Sequence, residues 1–459
     1  MALPDRLLKT IARQSPIFIA VHLAFIDNTI PYLFKRTASM RIEILCTGDE
    51  VLSGKTINTN YSHMARRLQE VGVDVVWGTT VGDDRESLRA AFQQASARAD
   101  VVIVNGGLGP TVDDLSQEMA AEAAGVELVL NEAWLENIKS FYKARGREMP
   151  PNNRKQAMLP EGAEFIDNPV GTACGFAIDI GAARFFFTPG VPREIRVMLD
   201  DQIIPRILKM SGSQAKVRLK RFHSFGLGES RVDDMLTGVE TMAIGGEVKL
   251  GFQAHYPELE TKIFARGTDA EELKRRMAPV EKAVRDRLGS HLIAEDDETL
   301  ESNILTSIQS ENGTLAIAEC GTNGATASRM VAADPEALVF RRGSLGGNIE
   351  SLAASLGLAL TDASAAAAIA CAEAIMQASG TTHGLAVLIP KSKEGGIGGG
   401  EGQVYIAVAR NDGITTERSA LIVGGKERVR TGGVEMALDC LRRVQLGLVA
   451  DERIDFEKR

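Results

Sequence analysis

At 459 residues, 44% hydrophobic and 25% charged, the chain has the balance of a folded globular protein too long for one core, so two or three domains are expected. A formal net charge of -9 argues against a non-specific binder of nucleic acid or of acidic membranes, because neither is attracted without a basic field. Five scattered cysteines, Cys46, Cys174, Cys320, Cys371 and Cys440, form no CxxC pair, which argues against a disulfide framework or zinc site and points to the cytoplasm.

The apolar stretch "SPIFIAVHLAFIDNTI" is too short for a membrane span and lacks a cleavage site. Met40 stands directly before the first strand, so residues 1–39 are expected to be a disordered or artefactual leader. The alternative is an amphipathic targeting segment carrying Arg6, Lys9, Arg13, Lys35 and Arg36. From Arg41 onward short β-rich runs alternate with helical stretches. "RIEILCTG" reads as a strand, "NTNYSHMARRLQEVG" as a helix capped by Asn58 or Thr59, "VDVVWGTTVG" as a strand and "DDRESLRAAFQQASARA" as a helix. "DVVIVNGG" is apolar on both faces and is expected in the middle of a parallel sheet, followed by a helix over "DDLSQEMAAEAAG". "CGFAIDIGAARFFFTPG" reads as a hairpin, and Pro192 opens a further helix. This alternation predicts a three-layer α/β/α domain over 40–212, with ligands at the carboxyl ends of its strands. A small α+β domain is expected over 213–292, then "IAEDDET" as an acidic linker, and an alanine-rich α/β domain over 300–450 with strands "LAIAEC", "LAVLIP" and "GQVYIAVA".

The turn "VNGGLGPTVDD" carries the chemistry of the first domain. Gly106, Gly107 and Gly109 let a ligand approach backbone amides, and the helix expected from about Asp113 adds its positive end. That is half of a phosphate site, but Asp113 and Asp114 would repel a phosphate unless a divalent cation such as Mg²⁺ lay between them. The adjacent turn, "TGDEVLSGKTINTN", offers Asp49, Glu50, Asn58 and Asn60. The residues thus predict a metal held by Asp49 and Asp114, with Asp113, Asp114 and Glu50 as candidate catalytic carboxylates. Gly106, Gly107, Gly109, Thr111, Asn58 and Asn60 would hold a phosphorylated nucleotide, and Asn153, Arg154 and Lys155 of "PPNNRKQ" a second phosphate.

The motifs "TGDEVLSGKTINTN", "NGGLGPTVDDLS", "PNNRKQAMLP", "NPVGTACGF" and "FFTPGVPREI" together resemble the competence/damage-inducible protein A (CinA) family. The resemblance runs over essentially the whole chain after Met40. It implies a MogA/MoaB-like, molybdopterin-binding fold for the first domain, associated with metal-dependent hydrolysis of ADP-ribose-type pyrophosphates. It also implies a KH-like middle domain and a nicotinamide-nucleotide amidase-like last domain. Amidase-active members carry A-E-S-C-T-G-G; this chain reads "AECGTNG", so Cys320 stands where the serine nucleophile should be. Gly347 and Leu352 stand in place of a tyrosine and a lysine, and "LIPKSK" replaces a T-G-I-A-G-P turn. The amidase site is therefore expected to be inactive, with Cys320 structural, since the region's one histidine, His383, has nothing to place it nearby.

The function expected on these grounds is an ADP-ribose pyrophosphatase-like hydrolase in the first domain. Two alternatives stay open: a module that binds a pterin or nucleotide phosphate without turnover, and a working nicotinamide-nucleotide amidase. The middle domain, despite "FGLGES" and the basic strand of Lys216, Arg218, Lys220 and Arg221, is expected to be a spacer or a homodimer element rather than a nucleic-acid binder.

Overall fold

The computed structural model describes residues 40–212, 216–390 and 401–458, so the expected leader of 1–39 lies outside the described residues. The described chain divides into two compact units between 212 and 216. No described helix is long and apolar enough to cross a membrane.

In chain order the first unit comprises β1 (Ile42–Thr47), a single helical turn (Asp49–Leu52), α1 (Thr59–Glu70), β2 (Val75–Val81), α2 (Arg85–Arg98) and β3 (Val101–Asn105). It continues through α3 (Ser116–Ala124), β4 (Leu128–Leu130), α4 (Glu132–Lys143), a 3₁₀ stretch (Pro151–Ala157), β5 (Met158–Pro160) and β6 (Glu164–Ile166). It closes with β7 (Gly175–Ile180), β8 (Ala183–Thr188), α5 (Pro192–Met198) and α6 (Ile204–Ser211). The main sheet runs β2-β1-β3-β8-β7-β6. Its first four strands are parallel, while β7 and β6 are antiparallel.

Every residue of β1 and β3 is buried, because helices cover both faces of the sheet. Val102 and Val104 point to the face built with Phe92, Phe176 and Phe187, whereas Val101 and Ile103 point to the face built with Met64, Ile195 and Met198. Phe176 stacks on Phe187 at 4.5 Å, and each such buried ring contributes roughly 1.5–3 kcal/mol by leaving water. The sheet is thus the middle of an α/β/α sandwich, and "CGFAIDIGAARFFFTPG" forms the antiparallel β7–β8 pair expected of it.

The second unit begins with β9 (Lys216–Phe225), α7 (Glu229–Leu236), β10 (Lys249–His255), β11 (Glu258–Gly267), α8 (Ala270–Leu288) and β12 (Leu292–Glu295). These strands form one antiparallel sheet in the order β10-β11-β9-β12. There follow α9 (Leu300–Ser310), β13 (Leu315–Cys320), α10 (Ala325–Ala333), β14 (Phe340–Gly346), α11 (Ile349–Ser355), α12 (Ala365–Ser379) and β15 (His383–Leu388). The chain ends with β16 (Glu401–Arg410), β17 (Thr415–Val423) and α13 (Lys426–Gln445). The second sheet of this unit runs β14-β13-β15-β16-β17, with β13 parallel to both of its neighbours.

The acidic linker expected at "IAEDDET" is a correction. Ile293 and Ala294 are buried in edge strand β12, and its acids are drawn in by cations: Lys220 reaches Glu295 and Asp296 at 2.6 Å, and Arg285 reaches Glu295 at 2.6 Å. Hydrogen bonding to Arg285 holds the Glu295 carboxyl down at about 2. Two sheets therefore share one unit, and Phe225 and Ile293 belong to the same apolar cluster as Ile304, Val387 and Met436.

Within this unit a buried polar network joins β11, α9, α10 and α13. Arg329 bonds both Glu301 and Glu435, and His223 lies 3.8 Å from Glu258. Glu435 is 1% exposed, and its Oε1 has no donor among the described residues. Burial, opposed by Arg329 and reinforced by Glu258, pushes its carboxyl up to about 7. The folded chain therefore keeps this proton to about pH 7, whereas the unfolded chain loses it near its ordinary value of 4.5. Between those values the folded state binds more protons, so the contribution of this group to stability falls as pH rises. Urea unfolding of the wild type and of Glu435→Gln from pH 5 to pH 8 should show the wild type losing stability through pH 7 and the variant losing less.

Candidate functional site

Two strand ends gather polar residues, one in each unit. In the first unit the chain leaves β3 at Asn105, which is 4% exposed. Its Nδ2 donates to Pro189 O at 2.7 Å and Thr188 Oγ1 at 3.1 Å, and its Oδ1 accepts from Asn60 Nδ2 at 2.9 Å. Asn60 also donates to Gly190 O at 2.7 Å, so it is committed to joining α1 to the strand ends. Gly106 follows at φ +116°, and a Cβ there would lie 2.6 Å from Thr47 Oγ1 and 2.8 Å from Thr47 O. Only glycine fits so close to a neighbouring backbone. Ser116 Oγ closes the turn by donating to Gly106 O at 2.8 Å.

The carboxylates of this turn are occupied locally. Asp114 accepts from Thr111 N at 2.8 Å and Thr111 Oγ1 at 2.6 Å, and Thr111 Oγ1 also donates to Asp113. That fold of the loop delays the helix, which starts at Ser116 rather than near Asp113 as expected. The hydrogen bond from Thr111 holds the Asp113 carboxyl below the usual carboxylate range. Asp49 and Asp83 bond reciprocally, Asp49 N to Asp83 Oδ2 at 3.0 Å and Asp83 N to Asp49 Oδ1 at 3.2 Å. Burial pushes the Asp83 carboxyl up, and Asp49, Glu50 and Asp113 add to the rise, so these four acids share one end of the sheet.

Among the described residues, no three or more His, Cys, Asp and Glu side chains are arranged to hold a metal ion. The cation expected between Asp49 and Asp114 would have two protein carboxylates, with further ligands from a phosphate or water. Asn58 is spent as the cap of α1, accepting from Tyr61 N at 2.9 Å. Asn153 is buried and donates to Gln156 Oε1 at 2.7 Å. Lys155 does reach the turn, donating to Thr111 O at 3.0 Å, while Arg154 stays exposed beside it. Asn105, Ser116 and Thr188 were given no role in sequence; their signal was only a polar residue at the end of an apolar strand or helix start.

In the second unit β13 ends at Cys320, which is 7% exposed in the wall of a pocket of about 760 Å³. The pocket is also lined by Asn323, Asn348, Asp362, Lys426 and Arg430. Gly321 has φ +79°, and a Cβ on it would lie 2.1 Å from Ile389 O, so the turn after Cys320 also demands glycine. Gly347 lines the pocket, while Leu352 is fully buried in the apolar layer. His383 pairs in register with Leu315 and Leu388 with Cys320. His383 therefore lies at the opposite end of the sheet, roughly 16 Å away by the rise of a parallel strand. Residues 391–393 of the replaced glycine turn lie outside the described residues.

With this geometry in hand, comparison with known proteins decides the family. Residues 43–209 match the family described as "Probable molybdopterin binding domain", and residues 219–294 match "Damage-inducible protein CinA KH domain". A "CinA-like protein" of Shewanella sp. (strain MR-4) is 38% identical over 411 residues, which cover 88% of this chain and 95% of that protein. The chain belongs to the CinA family. This CinA-family chain is also 37% identical, over 88% of its length and 96% of the relative's, to a protein of Shewanella oneidensis named nicotinamide-nucleotide amidohydrolase PncC. A solved structure of CinA from Thermoplasma acidophilum, 34% identical, covers 37% of this chain and 98% of its own, with a TM-score of 0.34.

The resemblance seen in the sequence is thus the family, and the MogA/MoaB-like α/β first unit goes with it. The expected activity is corrected. A relative named an amidohydrolase along nearly its whole length overturns both the ADP-ribose pyrophosphatase and the inactive amidase region. At the two strand ends, Asp114 is hydrogen-bonded within its own loop, and Cys320, at the position of the serine in the resemblance, lines a pocket.

The tightness of the Gly106 turn is directly testable. Gly106→Ala forces a positive φ and a clash with Thr47, and should cost about 2 kcal/mol or more of unfolding free energy, measured in urea. The exposed Gly146→Ala, at φ +69° with open space around its Cβ position, should cost less.

Proposed function

We propose that the second unit hydrolyses the amide of a nicotinamide nucleotide in the pocket at Cys320. The observation that carries this reading is the placement of a thiol at the carboxyl end of central strand β13, facing a pocket rimmed by Lys426 and Arg430. A volume of about 760 Å³ falls within the range of roughly 300–1,000 Å³ typical of small-molecule sites. Lys426 and Arg430 come from the first turns of α13, so their charges and the positive end of the helix suit the nucleotide phosphate.

In this reading the Cys320 sulfur attacks the carboxamide carbon. A C–S bond forms, the C–N bond breaks, and nitrogen leaves as ammonia after taking a proton. Water then cleaves the thioester, which returns the thiol and releases the carboxylic acid. The named amidohydrolase relative supports the reaction class, and the thiol accounts for how this chain carries it without the serine.

Ammonia release from nicotinamide mononucleotide tests the reading. Cys320→Ala should lower kcat by at least a hundredfold, while Lys426→Ala should raise KM about tenfold with kcat little changed. Undiminished turnover in Cys320→Ala would remove the thiol from the chemistry.

A second reading concerns the first unit, which the buried Thr47 Oγ1, without a partner among the described residues at the Gly106 turn, favours as a phosphate-ligand binding site without turnover. Calorimetric titration with ADP-ribose should then show binding, weakened at least tenfold by Lys155→Ala, with the nucleotide recovered intact.

A further inference from the structure

Glu319 and Cys320 are consecutive residues of β13, so their side chains leave opposite faces of the strand. Cys320 joins the apolar layer of Leu352, Ala368 and Cys371 beside the pocket. Glu319, 1% exposed, turns toward α10. Its Oε2 accepts from Thr322 Oγ1 at 2.5 Å and Thr326 N at 3.1 Å, and its Oε1 accepts from Ala327 N at 3.0 Å. The N-cap of α10 is Gly324, which has no side chain to offer, so the strand carboxylate supplies the cap from outside the helix.

The segment spanned by these three bonds is the turn that follows Cys320. Gly321, Asn323 and Gly324 all sit at positive φ, between +58° and +79°, a sequence of conformations that does not hold itself in place. An acceptor-only group with two oxygens meets all three donors; an amide of the same shape would present its NH₂ to at least one of them.

We infer that Glu319 is the positioning residue for the Cys320 thiol, clamping the turn between β13 and α10 so that the sulfur is held at the pocket wall. This rests on the amidohydrolase reading for its kinetic consequence but not for its structural one. Thr322 is part of the same clamp, fully buried, with its hydroxyl also accepting from Gly324 N at 3.3 Å.

The test uses the full chain and three variants: Glu319→Gln, Thr322→Val and, as a control, Thr299→Ala, which removes the cap of α9 away from the pocket. Turnover of nicotinamide mononucleotide and iodoacetamide alkylation of Cys320, followed by mass spectrometry at pH 7, are measured alongside melting temperature. Glu319→Gln should lower kcat at least tenfold with KM within threefold. It should also speed Cys320 alkylation at least fivefold, because the released turn no longer keeps the largely buried sulfur in one place at the pocket wall. Thr322→Val should move both readouts about threefold in the same directions. Thr299→Ala should lower the melting temperature while leaving both unchanged. If Glu319→Gln behaves like Thr299→Ala, the inference is overturned. If Glu319→Gln does not fold, Thr322→Val decides, and unchanged alkylation there overturns it. A wild type that alkylates at Cys320 but releases no ammonia would sink the amidohydrolase reading alone, and the alkylation comparison would still decide the role of Glu319.

Discussion

Each unit is organised around a central parallel strand that must be buried on both faces. In β3 and in β13 every side chain is buried, so neither strand can carry solvent-facing chemistry along its length. Polar function is displaced to the carboxyl end, where the chain has to turn sharply to reach the next helix. That turn lies against a neighbouring backbone, Thr47 for Gly106 and Ile389 for Gly321, and in both places a methyl group would not fit. Packing density in the sheet thereby dictates where a ligand can meet the chain.

The two ends use this constraint differently. At Asn105 nearly every polar group answers another protein group, through Asn60, Thr188, Thr111 and Asp114. These bonds tie the loop to itself and to the neighbouring strand ends. At Cys320 the residue before it, Glu319, takes up the turn and the start of α10. Cys320 itself lines the pocket together with Lys426 and Arg430.

Charge in the second unit follows the same logic of pairing under burial. Asp439 bonds Arg443 at 2.6 Å with both side chains inaccessible, and Arg442 reaches Ser290 O at 2.7 Å, which ties α13 to the end of α8. Such pairs contribute less to net stability than to holding one arrangement, because desolvation offsets much of their attraction. Glu435 is the exception that the network does not neutralise, since Arg329 is shared with Glu301 while Glu258 adds a like charge.

By itself the sequence determined the alternation of strands and helices, the centrality of "DVVIVNGG", the glycine turn behind it and the family to which the chain belongs. These are legible because periodicity, glycine and caps act within a few residues of one another. The short apolar-acidic run at 293–298 misled for the same reason: only Lys220 and Arg285, distant in sequence, turn it into a strand. Asp114 was read as a metal ligand from its type, and the bonds it accepts from Thr111 within its own loop are visible only in the folded chain. Cys320 was read as the scar of a lost serine, since no local pattern shows that a thiol faces a pocket bordered by a helix more than a hundred residues later. Local conformation is encoded by neighbours in the chain, but the partners that decide what a carboxylate or a thiol does are brought together only when the sheets form.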